Sequence, residues 1–526
     1  MIPRRKWEPW IWGVIIITAL VWRLVWLDGK PPHFDEGVNG AFVDGMTRQG
    51  FYSYDPGNFH GPLHFYILFI AQTLLGRHNW VLRLPVALIS TGCVAMLFLF
   101  RPYFGRRACQ IAALSMALSP AMVFYGRYAI HESSLLLFLM WAVLGILGLW
   151  RSGQKRFLWA TALGITGTIL TKETYVIHVV AALLTLPALL LLELVSKSAP
   201  LPFTRPQWNR FDFTTIAWVC AALILFFYTG GFLDWPSLPG LWETYRLWFA
   251  TGNGAAPWHE KPWYYWIELL ARYEWPALVG LAASLFVIAP GRSRPGRALA
   301  ICGLGTLAAY SLIPYKTPWC LIVLIWPFHL FFGIGIDQTI RSLDKWVVSV
   351  GAAGALAYSL GICYLLNFRE YTNAEEPYVY VQTLPDVNKL IKPLDFLTSR
   401  DPRNFQLPGL IITPEFHPFP WMLGDFTHVT FLTPSEELPR NLSDAEFLLV
   451  DTALVGEVEA RLNEPYFKEP LTVRGSSNDE AVLYLRAKTF TLCFPQRAPE
   501  FIPSAPIEQL FPEPVAPGPS LPSEDL

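Results

Sequence analysis

Charge is scarce in this chain of 526 residues: Asp, Glu, Lys and Arg together make up 15%, where a soluble globular domain carries about 25%. Set against 53% hydrophobic residues and 22 Trp, that shortage excludes an ordinary soluble single domain. An excess of one sign of charge is missing too. The net charge of -1 leaves no broad basic field of the kind nucleic-acid binders use, so no nucleic-acid partner is expected. Cysteine is sparse, with seven residues, no CxxC pair and all but Cys493 in or beside apolar stretches. Neither a disulfide framework nor a zinc knuckle follows from that. No internal repeat is visible, which speaks against transporter folds built from duplicated halves.

Long apolar runs are what the chain has instead. A bilayer core about 30 Å thick needs roughly 20 helical residues to cross it. The first such run, Trp10 to about Leu27, follows Arg4, Arg5 and Lys6, and Asp28, Gly29, Lys30 and Pro31 after it offer no small-residue cleavage site. It reads as a retained signal-anchor with a cytoplasmic N-terminus. Further spans are expected near 80–100, 108–124, 133–150, 157–171, 175–195, 213–231, 264–290, 297–314, 318–336 and 345–366. The run 62–76 is short and carries His64 and Gln72. Keeping it in the outer interface puts the loops holding Arg101, Arg106, Arg107; Arg151, Lys155, Arg156; Lys197, Arg205, Arg210; Arg292, Arg294, Arg297; and Arg341, Lys345 on the cytoplasmic side. The expected fold is therefore a polytopic α-helical membrane protein of about eleven spans, residues 1–366, with a first outer loop at 28–79. Trp235, Trp242, Trp248, Trp258, Trp263 and Trp266 read as an interfacial belt.

From about Asn367 the composition changes. YVYVQT, GLIIT, VTFL, EFLLVD and AVLYLRA look like short strands, with helical patterns at 385–399 and 453–466 between them. A C-terminal extracytoplasmic α/β domain is expected over 367–496, followed by a Pro-rich tail, 497–526, with little to bury.

With this topology, ionisable residues collect on the face opposite the basic loops: Asp35 and Glu36; Arg127, His131 and Glu132; Lys172 and Glu173; Lys316. Each alone is explained by a hairpin turn that carries a charge to end a helix. Together, four turns each supplying a charge in an almost loop-free apolar context suit a reaction on an anionic, lipid-carried substrate. In HFDEG, two adjacent carboxylates cannot share a helix face, so one is free to meet substrate while the other caps or orients. Asp35 as a mere helix cap is the plain alternative. His60 and His64 stand four apart, but Pro62 starts the helix between them, so they are not a paired ligand set. A metal site would require His33, Asp35 and His60 to meet in space; no metal and no cofactor is expected. Arg127, Lys172 and Lys316 are suited to stabilise charge on a departing phosphate oxygen.

The ordered set HFDEG (His33–Gly37), RLPVALIS (Arg83–Ser90), FGRRA (Phe104–Ala108), YGRYAIHESSLLLF (Tyr125–Phe138), TKET (Thr171–Thr174) and YKTPW (Tyr315–Trp319) resembles the GT-C integral-membrane glycosyltransferases. Within that fold, the resemblance is to protein O-mannosyltransferases and aminoarabinose lipid A transferases. HGPL (His60–Leu63), PYVYVQT and PFPWMLGDF look most like the prokaryotic group labelled flippase-activity-associated proteins. The resemblance implies Asp35, with Glu36 beside it, as the acidic catalytic residues, and Arg127, Lys172, Lys316 and His60 as binders of the donor phosphate. His131, Glu132 and Glu173 are supporting residues. It implies transfer of a sugar, with inversion, from a polyprenyl-phosphate donor to a protein, lipid or glycan acceptor at the outer face of the cell membrane. A flippase or transporter for lipid-linked sugars and a non-catalytic scaffold are the competing readings.

Overall fold

Every one of the eleven apolar runs read from the sequence is helical in the computed structural model, which describes residues 7–58, 60–196, 204–252, 259–289, 292–475 and 479–504. Arg4, Arg5, Lys6, Lys197, Trp258 and the tail from 505 onward lie outside the described residues. The chain divides into two units, Met1–Thr383 and Leu384–Leu526.

The first unit is helical: α1 (Glu8–Leu24), α2 (Phe34–Gln49), α3 (Leu63–Leu75), α4 (Asn79–Phe104), α5 (Arg106–Ala117), α6 (Pro120–Phe124), α7 (Glu132–Ser152), α8 (Lys155–Ile169), α9 (Tyr175–Val195), α10 (Arg210–Tyr228), α11 (Gly240–Ala250), α12 (Tyr265–Tyr273), α13 (Trp275–Val287), α14 (Arg294–Leu312), α15 (Leu321–Thr339) and α16 (Lys345–Tyr364). Six described helices are long and apolar enough to cross a membrane, seven if α5 and α6 count as one bent span. α15 is the packed centre, with 89% of its apolar window buried, whereas α10 and α16 bury only 11% and turn apolar side chains outward. Hydrophobic all round, these three are indistinguishable by composition; packing separates them. α3, at 13 residues, reaches only about 20 Å and is too short to span.

The ends of the unit differ in charge. At the start of α1, Glu8 pairs with Arg101 and with Arg106 (3.2 Å), and Glu193 near the end of α9 pairs with Arg297 (2.6 Å) and Arg294 (3.5 Å). Four of the basic-loop arginines are thereby tied down. At the other end of α1, the chain between α5 and α7 is reshaped by a 59° bend. Ser119 and Pro120 start α6, and the buried Glu274 accepts hydrogen bonds from the Ala121 N–H (2.6 Å) and the Ser119 hydroxyl (2.8 Å). A carboxyl group on the open N–H groups of a buried helix N-terminus is the favourable pairing, and the bend sets the turn 125–131 against α1 and α2.

Three readings of the sequence are corrected here. YVYVQT is not a strand and does not belong to the second unit, which begins at Leu384 rather than near Asn367. Its alternating residues are claimed by the helical unit: Tyr378 accepts at its carbonyl from the Tyr125 hydroxyl (3.1 Å), and Gln382 accepts from the Tyr128 hydroxyl (2.7 Å). Trp266 is no belt residue; it is fully buried with its indole N–H on the Tyr310 carbonyl (3.0 Å), while Trp235, Trp242 and Trp263 are exposed.

The second unit is a five-stranded mixed sheet in the order β2-β1-β3-β5-β4, made of β1 (Gly409–Ile412), β2 (Val429–Leu432), β3 (Phe447–Asp451), β4 (Tyr466–Thr472) and β5 (Glu480–Arg486). β1 pairs parallel with β2 and β3; β5 runs antiparallel to β3 and β4. Alternate residues of β3 feed opposite cores, Phe447 and Leu449 on one face, Leu448 and Val450 on the other. The third correction is β4, unseen in the sequence because YFKEPLT carries two charges and Pro470. It is an edge strand, where a proline and charges are tolerated.

Candidate active site

α2 begins with a reciprocal capping box: the His33 ring nitrogen Nδ1 accepts from the Asp35 N–H (3.1 Å), and Glu36 accepts from the His33 N–H (2.8 Å). Glu36 is 1% exposed and receives two further groups of donors. Arg83, near the start of α4, grips it through Nε (2.8 Å) and Nη2 (2.7 Å), and the Ala129 N–H adds a third contact (2.9 Å). The remaining Arg83 donors hold the carbonyls of Leu27 (2.8 Å), Lys30 (3.1 Å) and Pro31 (3.1 Å). All of the guanidinium's fork is thus used to lock the α1–α2 loop to α4. Burial alone would push the Glu36 carboxyl up, but the charge and hydrogen bonds of Arg83 hold it below the ordinary range.

Asp35 is different. Its carboxylate is half-buried and has no hydrogen-bond partner among the described residues. Around it, within electrostatic reach, stand His33, His259, Tyr315 and Tyr380. His33 is held neutral, since its Nδ1 is an acceptor and its Nε2 donates to the Tyr380 carbonyl (2.8 Å). The Tyr380 hydroxyl meets His259 Nδ1 (2.8 Å), and the His259 ring lies 4.8 Å from that of Tyr315. Of two adjacent carboxylates, then, one is fully engaged in structure and the other takes no hydrogen bond from a described residue.

The TKET turn supplies a second group. Gly61 and Leu63 donate backbone hydrogen bonds to Thr171 (3.1 Å) and Leu170 (2.9 Å), and a Cβ on Gly61 would stand 2.3 Å from the Leu170 carbonyl. Only glycine permits that approach. It brings His60 alongside Lys172 in a short antiparallel bridge. Lys172 pairs with Glu132 at the start of α7, and His60 Nδ1 pairs with Glu173 (2.9 Å). His131 lies against the rings of His60 (4.5 Å) and His64 (4.2 Å). Burial holds His64 down to about 3 and His131 well below the ordinary histidine range, so both are neutral. Tyr315 lies within electrostatic reach of Asp35 and also of Lys172 and Glu173. Lys316, buried beside it, donates to the carbonyls of Ile313 (2.5 Å) and Lys261 (3.1 Å) rather than to a carboxylate.

Of the residues singled out in the sequence, Asp35, His60, His131, Glu132, Lys172, Glu173 and Lys316 are gathered at one end of the helical unit. Arg127 is turned elsewhere: its terminal nitrogens hold the carbonyls of Trp22 (2.9 Å), Val25 (2.7 Å) and Trp26 (2.9 Å), closing the last turn of α1. The sequence assigns no role to Arg83, His259, Tyr315 or Tyr380, although Arg83 opens RLPVALIS, Tyr315 opens YKTPW and Tyr380 lies in PYVYVQT; His259 stands in none of these motifs. Arg83 also carries a second signal, an arginine inside an apolar run. Among the described residues no group of three or more His, Cys, Asp or Glu is arranged to hold a metal ion.

Residues 59–203 match the family described as dolichyl-phosphate-mannose-protein mannosyltransferase. Two provisionally named mannosyltransferases of Bacillus subtilis (strain 168) are similar: YkcB, 28% identical over 177 residues, and YycA, 32% identical over 171 residues. Each match covers 31% of this chain and only 24% of the relative's own length. Among solved structures, ArnT from Cupriavidus metallidurans bound to undecaprenyl phosphate superposes with a TM-score of 0.64 at 13% identity, covering 91% of this chain and 99% of that one. The Archaeoglobus fulgidus oligosaccharyltransferase superposes at 0.52 and 10% identity, covering 93% and 77%. The chain thus has a helical, GT-C-like membrane fold and bears over residues 59–203 a segment that matches the mannosyltransferase family.

Proposed function

We propose that the chain is an inverting glycosyltransferase that moves a sugar from a polyprenyl-phosphate donor to an acceptor hydroxyl or amine at the extracytoplasmic face. The observation that carries the reading is Asp35, a half-buried carboxylate with no protein partner among the described residues, beside a neighbour that is fully tied. Asp35 is the general base that takes the acceptor proton, and a single base suits a single displacement. Lys172 and Lys316 face the developing phosphate charge, the first as a cation balanced by Glu132 and the second without a carboxylate partner among the described residues. Glu36 and Arg83 are positioning residues that fix the start of α2. Arg127 holds α1 and acts on the site only through it.

The test is transfer of labelled sugar by purified protein from a panel of synthetic polyprenyl-phosphate donors, with a water-only reaction that reveals slow donor hydrolysis. Lys172→Met is expected to lower turnover by about 100-fold, roughly 2–4 kcal/mol of barrier, and to change donor affinity less. A flippase using the same residues for docking would lose affinity and show neither transfer nor hydrolysis in any variant, the parent included.

The reading requires eleven crossings with the N-terminus in the cytoplasm and the second unit outside, as the basic loops favour. In a cysteine-free background, a membrane-impermeant thiol reagent is expected to label Ser435→Cys and spare Ser152→Cys in intact cells. Labelling of Ser152→Cys would put the Asp35 end on the cytoplasmic side and end this reading.

A further inference from the structure

The TKET turn and the first residues of α7 hold an odd number of charges without His60. Glu132, Glu173 and Lys172 are buried, with side chains 2%, 2% and 6% exposed, which leaves two carboxylates against one ammonium. Lys172 is committed to Glu132. The group against Glu173 is the His60 imidazole at 2.9 Å, itself 23% exposed and so the member of the pair that solvent or ligand reaches. Among the described residues, the ionisable groups set against it besides Glu173 include His64 on α3, His131 ahead of α7 and Lys172 on the turn. Both histidines are neutral, so none supplies the fourth charge. A buried carboxylate left unbalanced is costly, and the cluster becomes neutral when His60 carries a proton on both nitrogens.

Resting on the transferase reading, we propose that His60, oriented by Glu173, is the acid that protonates the departing phosphate. The acceptor oxygen forms its bond to the anomeric carbon and gives its proton to Asp35. The bond from that carbon to the phosphate oxygen breaks, its electron pair stays on the oxygen, and the proton on His60 Nε2 moves there. Nδ1 keeps its hydrogen bond to Glu173, so only Nε2 has a proton to give. The cycle ends with Asp35 protonated and His60 neutral; exchange with water restores both. The transfer is balanced without a metal ion or any further reactant.

His60→Gln is expected to lower kcat by about 100-fold on the donor the parent uses. His60→Lys separates acid from charge. If the residue delivers a proton, the lysine variant keeps a donor KM within about threefold of the parent while kcat stays about 100-fold down, because an ammonium of far higher proton affinity is a poor acid. Recovery of kcat in His60→Lys overturns the proposal and leaves only an electrostatic role. Ring protonation is read without turnover, by nitrogen NMR of histidine-labelled protein before any lipid phosphate is added, the His60 signal assigned by its loss in His60→Gln. A doubly protonated ring in the parent and a singly protonated one in Glu173→Gln is the expected result. A singly protonated ring in the parent overturns the proposal even if every kinetic change is seen. Failure of the parent to transfer sugar from any donor overturns the transferase reading and this step with it, and the NMR result tells that failure apart from a misassigned acid.

Discussion

Asp35→Asn is expected to lower turnover by at least about 100-fold while donor binding stays within a few-fold of the parent. The magnitude follows from what a positioned general base contributes, typically 10²–10⁴-fold. The split between turnover and binding follows from geometry. The Asp35 carboxylate takes no hydrogen bond from any described residue, so an amide in its place breaks no contact of the fold. Its backbone N–H, which does matter to the fold, still donates to His33. Lys172, the proposed phosphate-facing cation, sits on the TKET turn paired with Glu132 and is untouched. Donor binding is measured by isothermal titration with decaprenyl phosphate, and turnover with the donor that the parent uses. Turnover within tenfold of the parent sinks the base assignment. Weakened binding with unchanged turnover at saturation would make Asp35 part of the donor site instead.

Much of this was legible in the sequence because it rests on patterns the bilayer imposes. The sequence expects these charged turns at one end of the helical unit, and the structure places Asp35, His60, Lys172, Glu173 and Lys316 at one end. What spacing cannot carry is which partner a charge takes. Arg127 looks like a phosphate binder in the sequence, yet the acceptors nearest it are backbone carbonyls at the end of α1, and every residue has a carbonyl. Lys172 looks free until the bend between α5 and α6 delivers Glu132 to it. Tyr380 reaches the site from a segment whose alternation suits a strand equally well. In the second unit, four strands with apolar alternation were readable, and the one with Pro470 was not, because edge strands are free of the pattern that buried strands must show.

The largest loss of stability is expected where Glu36 meets Arg83. Both side chains are about 1% exposed, and removing one partner leaves the other charged and buried. Glu36→Leu strands a guanidinium whose Nε has no other acceptor, and Arg83→Leu strands a carboxylate with only the His33 and Ala129 N–H groups. Breaking such a pair costs about 3–5 kcal/mol. The double variant Glu36→Leu/Arg83→Leu removes both charges and is expected to recover part of that loss, since apolar replacement of a whole buried pair is often neutral. It does not recover the carbonyls of Leu27, Lys30 and Pro31, which lose their donor, so stability returns only in part. The pair also fixes a pH dependence. Because Arg83 holds the Glu36 carboxyl below its ordinary range, the stabilisation is fully present above that range and is lost as pH falls through the folded-state value. Thermal unfolding of the detergent-solubilised parent is therefore expected to weaken in acid more steeply than that of the double variant. Equal acid sensitivity in the two, or single variants as stable as the parent, would mean that the start of α2 is held by contacts other than this ion pair, and that Glu36 is available for chemistry after all.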